Sequence, residues 1–118
     1  MNLKVYLVYK ADSSGIVVNG ISYFIAYKSS ISNDLSSMAD AAGVYRHIWR
    51  PEGLGIIKAS ELVAPLNEGL RVLRANKERF KCFEPKHKRD TYEDLTNFIE
   101  HYIKASIKYP DATIEIER

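Results

Sequence analysis

Asn33, Asp34, Tyr45, Arg46, Trp49, Arg50 and Glu52 bring the richest mix of polar chemistry into one stretch of this chain. Trp49 is the only tryptophan. An indole beside two guanidinium groups, next to polar helix-starting side chains, could stack on and ion-pair a planar anion such as a nucleotide. It could equally anchor a partner protein. The same residues have a plainer reading, with Trp49 in the core, Asn33 as a helix cap, and Arg50 paired with Glu52 on the surface.

Three carboxylates form a second candidate set: Asp12 after the first strand, Glu61 at a helix start and Glu84 behind Phe80–Phe83. If Phe80–Phe83 were a strand, the element order would look like a ribonuclease H-type fold, with these residues near its two-metal ligands. A helix over Asp34–Ala42 interrupts that order, and the remaining chain offers no fourth acidic ligand. His47, His87 and His101 lack metal-ligand spacing, and no phosphate-binding glycine loop is present, so no cofactor and no catalytic residue is assigned. Cys82 sits between Lys81 and Phe83, five residues from His87, and reads as a buried, inert thiol rather than a nucleophile.

The positive charge is concentrated. From Arg71 to Arg89, eight Lys and Arg stand against Glu78 and Glu84, whereas residues 91–118 carry a net −3. This polarity could guide the protein to an acidic partner; it could also be a solvated helix face ending on a favourable dipole. Over the whole chain the net charge is only +2, too small to argue for nucleic acid or a membrane. No run approaches 18 apolar residues, and one cysteine allows no internal disulfide. A cytoplasmic setting and a single domain over residues 1–118 are the expectation.

The elements that must position these groups follow from periodicity. Leu3, Val5, Leu7 and Tyr9 alternate with Lys4, Tyr6, Val8 and Lys10, which predicts a strand. Asp12–Gly15 reads as a turn, and Ile16–Val18 and Ile21–Tyr27 as a hairpin about Asn19-Gly20, a pair suited to a type I′ turn. Ser32, Asn33 and Asp34 can each accept from free N–H groups at a helix start. Leu35, Met38, Ala39 and Ala42 then share one helical face, and Gly43 suits the left-handed position after it. Val44–Trp49 allows another helical turn.

A longer helix is expected over Ser60–Phe80, with Pro65 either its first residue or a kink. Cys82–Asp90 is a polar loop. Thr91 with Asp94 starts the clearest helix, striped by Leu95, Phe98, Ile99, Tyr102 and Ile103, and Tyr109-Pro110 stops it. Thr113–Glu117 alternates as a terminal strand returning to the N-terminal sheet. The fold class is α+β: a small, mainly antiparallel sheet, an N-terminal meander plus the C-terminal strand, with three helices on one face. The other sheet face, with Tyr6, Val8 and Phe24, could pair two copies into a homodimer or accept a partner strand.

Several spaced motifs agree in order with a group of small phage and bacterial proteins. They are Ile31-Ser32-Asn33-Asp34-Leu35, Met38-Ala39, Gly43-Val44-Tyr45, Ile48-Trp49-Arg50-Pro51-Glu52, Glu68-Gly69-Leu70, Tyr92-Glu93-Asp94-Leu95 and Tyr109-Pro110-Asp111-Ala112-Thr113-Ile114. Over about residues 31–118 the chain resembles that group. It departs at Asn33-Asp34, where the pattern has His-Asn, and at Lys86–Asp90, where it has an Asn-Gly-Trp-Gly-like loop. The resemblance implies an accessory protein of a phage or mobile element and no particular chemistry. Small size, eight tyrosines and this resemblance lead to the expectation of a non-enzymatic accessory or inhibitor protein that binds a host or rival protein. An immunity protein that neutralises a toxin is one form of it. The alternatives are a nucleotide- or small-anion-sequestering protein and the metal-dependent nuclease.

Overall fold

A computed structural model describes residues 1–10, 16–18, 21–87 and 89–118. Asp12, the Asp12–Gly15 turn and the Asn19-Gly20 turn lie outside the described residues, as does Lys88. The fold is α+β: a four-stranded antiparallel sheet, order β2-β3-β1-β4, formed by β1 (Asn2–Lys10), β2 (Ile16–Val18), β3 (Ile21–Ser32) and β4 (Thr113–Glu117). The expected return of the terminal strand is seen, with Val5 opposite Ile116 and Leu7 opposite Ile114.

Alternation divides the sheet. Leu3, Val5 and Leu7 are fully buried under the helices, while Lys4 and its ion-pair partner Glu117 stand on the open face. A bulge changes this further along: Leu7 faces Tyr27 but Val8 faces Ile25, so Ala26 has no opposite residue and the pattern slips by one. Phe24 therefore pairs with Tyr9 and does not share a face with Tyr6 and Val8, contrary to the expected patch. β3 has twelve residues, roughly 40 Å of extended chain.

Among the described residues five helices, rather than three, supply the second layer. A 3-10 turn at Asn33–Leu35 runs into α1 (Ser36–Ala41), and Gly43, at φ 82°, turns the chain into α2 (Tyr45–Trp49). Only glycine adopts that left-handed conformation without a steric penalty. α3 (Val63–Ala75) follows a 3-10 turn at Ala59–Leu62, which places Pro65 third in the helix, where its missing donor costs nothing. The chain then bends at Asn76 into α4 (Lys77–Lys81). α5 (Tyr92–Lys108) has the expected capping box: Thr91 Oγ1 accepts from Asp94 N–H, and Asp94 Oδ2 from Thr91 N–H.

The core joins Leu3, Val5 and Leu7 to Leu35, Met38, Ile48, Trp49, Leu66, Leu73, Phe80, Leu95, Ile99 and Tyr102. The two sheet edges differ. β4 is covered at its start by Ile57–Ser60, through Ala59 N–H to Ala112 O at 2.9 Å and Ile114 N–H to Ile57 O at 2.9 Å. β3 pairs with β2 only at Ile21–Tyr23. Among the described residues no other segment pairs with its outer edge from Phe24 to Ser32.

Candidate functional site: a cleft beside the β3 edge

The stretch around Trp49 folds into a packed corner. Ser32 caps the 3-10 turn, its Oγ accepting from Asp34 N–H at 3.1 Å. The Asn33 amide is thereby free to turn inward, where its Oδ1 accepts the indole N–H of Trp49 at 2.9 Å. Tyr45 stacks on the indole at 5.4 Å and 11°. Trp49 is only 4% exposed, so the expectation of an indole offered to a planar ligand is corrected. With one face under Tyr45 and the rest in the core, no ring surface remains for stacking.

The charged neighbours are tied down locally. Arg46 donates to the Gly53 carbonyl at 3.3 Å. Glu52 pairs with Arg118, not with Arg50, and Arg118 also donates to the Trp49 carbonyl at 3.2 Å. Arg50 itself is exposed. The corner thus fastens the C-terminus to α2.

Asp34 points elsewhere, to the loop before α5. His87 Nε2 lies 3.0 Å from Asp34 Oδ2 and 3.7 Å from Asp90 Oδ2. These three ligand-type atoms fall within 4.8 Å of one another, the spacing of a cation site. The other imidazole nitrogen argues for a different role. Nδ1 accepts the Arg89 N–H at 3.0 Å, so the neutral ring carries its proton on Nε2 and donates it to Asp34. A cation at Nε2 would need that proton on Nδ1, facing another donor. The trio is a latch that holds the loop against the start of α1.

Beside the latch a cleft of about 410 Å³ opens between β3 and α5. Ser29, Ser30, Ile31 and Ser32 form one wall, and Asp94, Phe98 and His101 the other, with Asp90 at the loop end. Ser29 stands on the helix-facing side, opposite Val5, and its small side chain leaves space where a larger residue would fill it. Asp94, Phe98 and His101 fall at i, i+4 and i+7 and so share one stripe of α5. Burial raises the Tyr27 phenol above its usual range, with the neighbouring Ser29 hydroxyl pulling the other way.

No family model, curated protein or solved structure matches this chain. The cleft is therefore read from its geometry alone.

The remaining candidates resolve into local structure. Glu61 Oε1 accepts from Ile57 and Lys58 N–H at 3.2 and 2.9 Å, and these bonds, Lys58 first, lower its carboxyl pKa. Glu84 accepts the Tyr92 N–H at 2.7 Å, helping to start α5. The strand required at Phe80–Phe83 by a ribonuclease H-type order is instead the end of α4 and a turn. Cys82 is exposed, not buried as expected, because Phe80 takes the core position and turns the thiol outward. In the basic run, Arg71 pairs with Glu68 and Arg74 with Glu100, while Lys77 lies 5.8 Å from the Tyr92 ring and Arg79 5.3 Å from that of Phe80.

Sequence reading missed Asp90, Asp94 and His101 as a group, and the free edge of β3. The α5 stripe was available in the spacing, but which strand lies at the sheet's edge depends on long-range pairing.

Proposed function

We propose that this chain is a non-enzymatic binding protein that takes an extended segment of a partner protein along the outer edge of β3. The observation that carries this reading is the strand edge from Phe24 to Ser32, which has no backbone partner among the described residues and borders the cleft. An exposed strand edge presents a row of N–H and C=O groups that a further strand can satisfy, and neighbouring pockets for alternate side chains then supply selectivity. An accessory or inhibitor protein of a phage or mobile element, of the kind the sequence resembles, would use such a surface on a host or rival protein. An immunity protein would use it on a toxin. The nucleotide reading loses its main support with the indole inside the core.

The test is affinity capture from lysate followed by amide hydrogen exchange on the recovered complex. Slowed exchange across residues 24–32 and along the Asp94–His101 stripe is expected. Protection confined to the Lys77–Arg89 surface, or no partner surviving the purification, would remove this reading.

A further inference from the structure

Resting on the strand-edge reading, the geometry points to one class of occupant: we propose that the segment added to β3 directs a lysine or arginine side chain into the cleft, with its cation meeting Asp90 and Asp94. Among the described residues, those lining the cleft include two carboxylates and no lysine or arginine. Each carboxylate has one oxygen engaged, Oδ2 of Asp90 towards His87 and Oδ2 of Asp94 on the Thr91 N–H. Among the described residues the second oxygen of each has no hydrogen-bond partner, and a charge-assisted hydrogen bond to a carboxylate is among the stronger polar contacts a side chain can make.

Size favours a side chain over a bare ion. A volume of about 410 Å³ is far above the ~30 Å³ that one water occupies in the liquid. Ile31 and Phe98 show only their edges to the cleft, whose exposed lining is mostly polar, so the stem of a long basic residue would pass beside them and present its cation to the carboxylates. The period of two in an added strand sends every second side chain to the helix side, where Ser29 and Ile31 stand. One or two positions of the segment therefore read the cleft, while those between them pass over Lys28 and Ser30.

Charge also distinguishes this occupant from a second copy of the chain. The only cation of β3 between Phe24 and Ser32 is Lys28, which lies opposite Tyr6 on the open face. Antiparallel pairing of two β3 edges about a two-fold axis keeps the faces aligned. Lys28 of the second copy would again lie on the open face, leaving Asp90 and Asp94 unmatched.

The probes are acetylated heptapeptides of alternating threonine and valine, with lysine, arginine, glutamine or glutamate at the centre. Affinity is read by fluorescence polarisation with the full chain. Lysine and arginine peptides are expected to bind about tenfold tighter than glutamine, the size of one charge-assisted contact. The paired substitution Asp90→Asn and Asp94→Asn should abolish that preference, with circular dichroism and a cooperative urea transition showing that the variant is folded. N-methylation of alternate amides in the lysine peptide should abolish binding. Equal affinity for lysine and glutamine peptides overturns the proposed cation while leaving the strand edge standing. Lysine binding that survives N-methylation overturns the pairing segment and leaves only an alkylammonium site. Absence of binding by every peptide overturns both, as does a dimer in sedimentation that the lysine peptide fails to dissociate.

Discussion

The indole N–H of Trp49 and the side-chain oxygen of Asn33 meet at 2.9 Å, joining the start of the first helical turn to α2 across sixteen residues. With the indole 4% exposed, removing the acceptor strands a donor largely out of reach of water. Asn33→Ala is expected to cost about 1–3 kcal/mol. Asn33→Asp, which keeps an acceptor, should cost less. Urea denaturation followed by Trp49 fluorescence measures both, and Trp49→Ala, followed by circular dichroism, should cost about 3–5 kcal/mol.

Gly69 lets α3 approach Val44 closely. A Cβ built there would lie 2.0 Å from Cγ1 of Val44, so α3 meets the loop before α2 at a distance only glycine permits. Its conformation is an ordinary helical one, and the constraint is space alone. Gly69→Ala should destabilise by about 1–3 kcal/mol through overpacking, despite the better helix propensity of alanine. Adding Val44→Ala should recover part of the loss, and a double-mutant cycle reads the coupling.

His47 gives stability a pH dependence. Burial, chiefly, and the charge of Arg46 lower its pKa from the usual 6.5, with the backbone of Gly43 pulling the other way. Below about pH 6.5 the unfolded chain then binds more protons than the folded one, so stability rises with pH in that window. The contribution is complete above the unfolded value and lost as pH falls through the folded one. Glu61, Glu68 and Glu100, whose carboxyls are lowered from 4.5 by hydrogen bonds to Lys58, Arg71 and Lys104 respectively, add their own losses only in more acidic solution. Denaturant midpoints from pH 7.5 to 5 should fall for the natural chain and fall less for His47→Gln.

Local chemistry made the fold legible. The strand at Leu3–Tyr9, glycine 43 at a left-handed turn, the Thr91–Asp94 cap and the alternating terminal strand all follow from neighbours within four residues. What escaped depended on distant pairing. The bulge that moves Phe24 off the Tyr6 face arises only where Leu7 and Val8 meet β3. Asn33 resembled a cap until Ser32 took that role and the indole, sixteen residues on, claimed the amide. Asp34 found His87 across fifty-three residues, a pairing that no periodicity encodes.

That last pairing makes the loop before α5 separable from the core. His87 binds Asp34 through Nε2 and the Arg89 N–H through Nδ1, so one side chain both fastens the loop and shapes its turn. Both partners are partly solvated, and the pair is expected to add no more than about 1 kcal/mol to global stability. His87→Ala should therefore leave the unfolding midpoint nearly unchanged. It should sharply speed amide exchange at Arg89, whose acceptor is lost, and loosen Asp90 at the cleft mouth. Asp34→Asn keeps an acceptor for Nε2–H and should preserve Arg89 protection, so the two variants separate the charge of the latch from its geometry. If Arg89 exchanges equally fast in the natural chain and in His87→Ala, the imidazole is not what holds the loop, and the cleft mouth is shaped by Asp90 and the α5 cap alone.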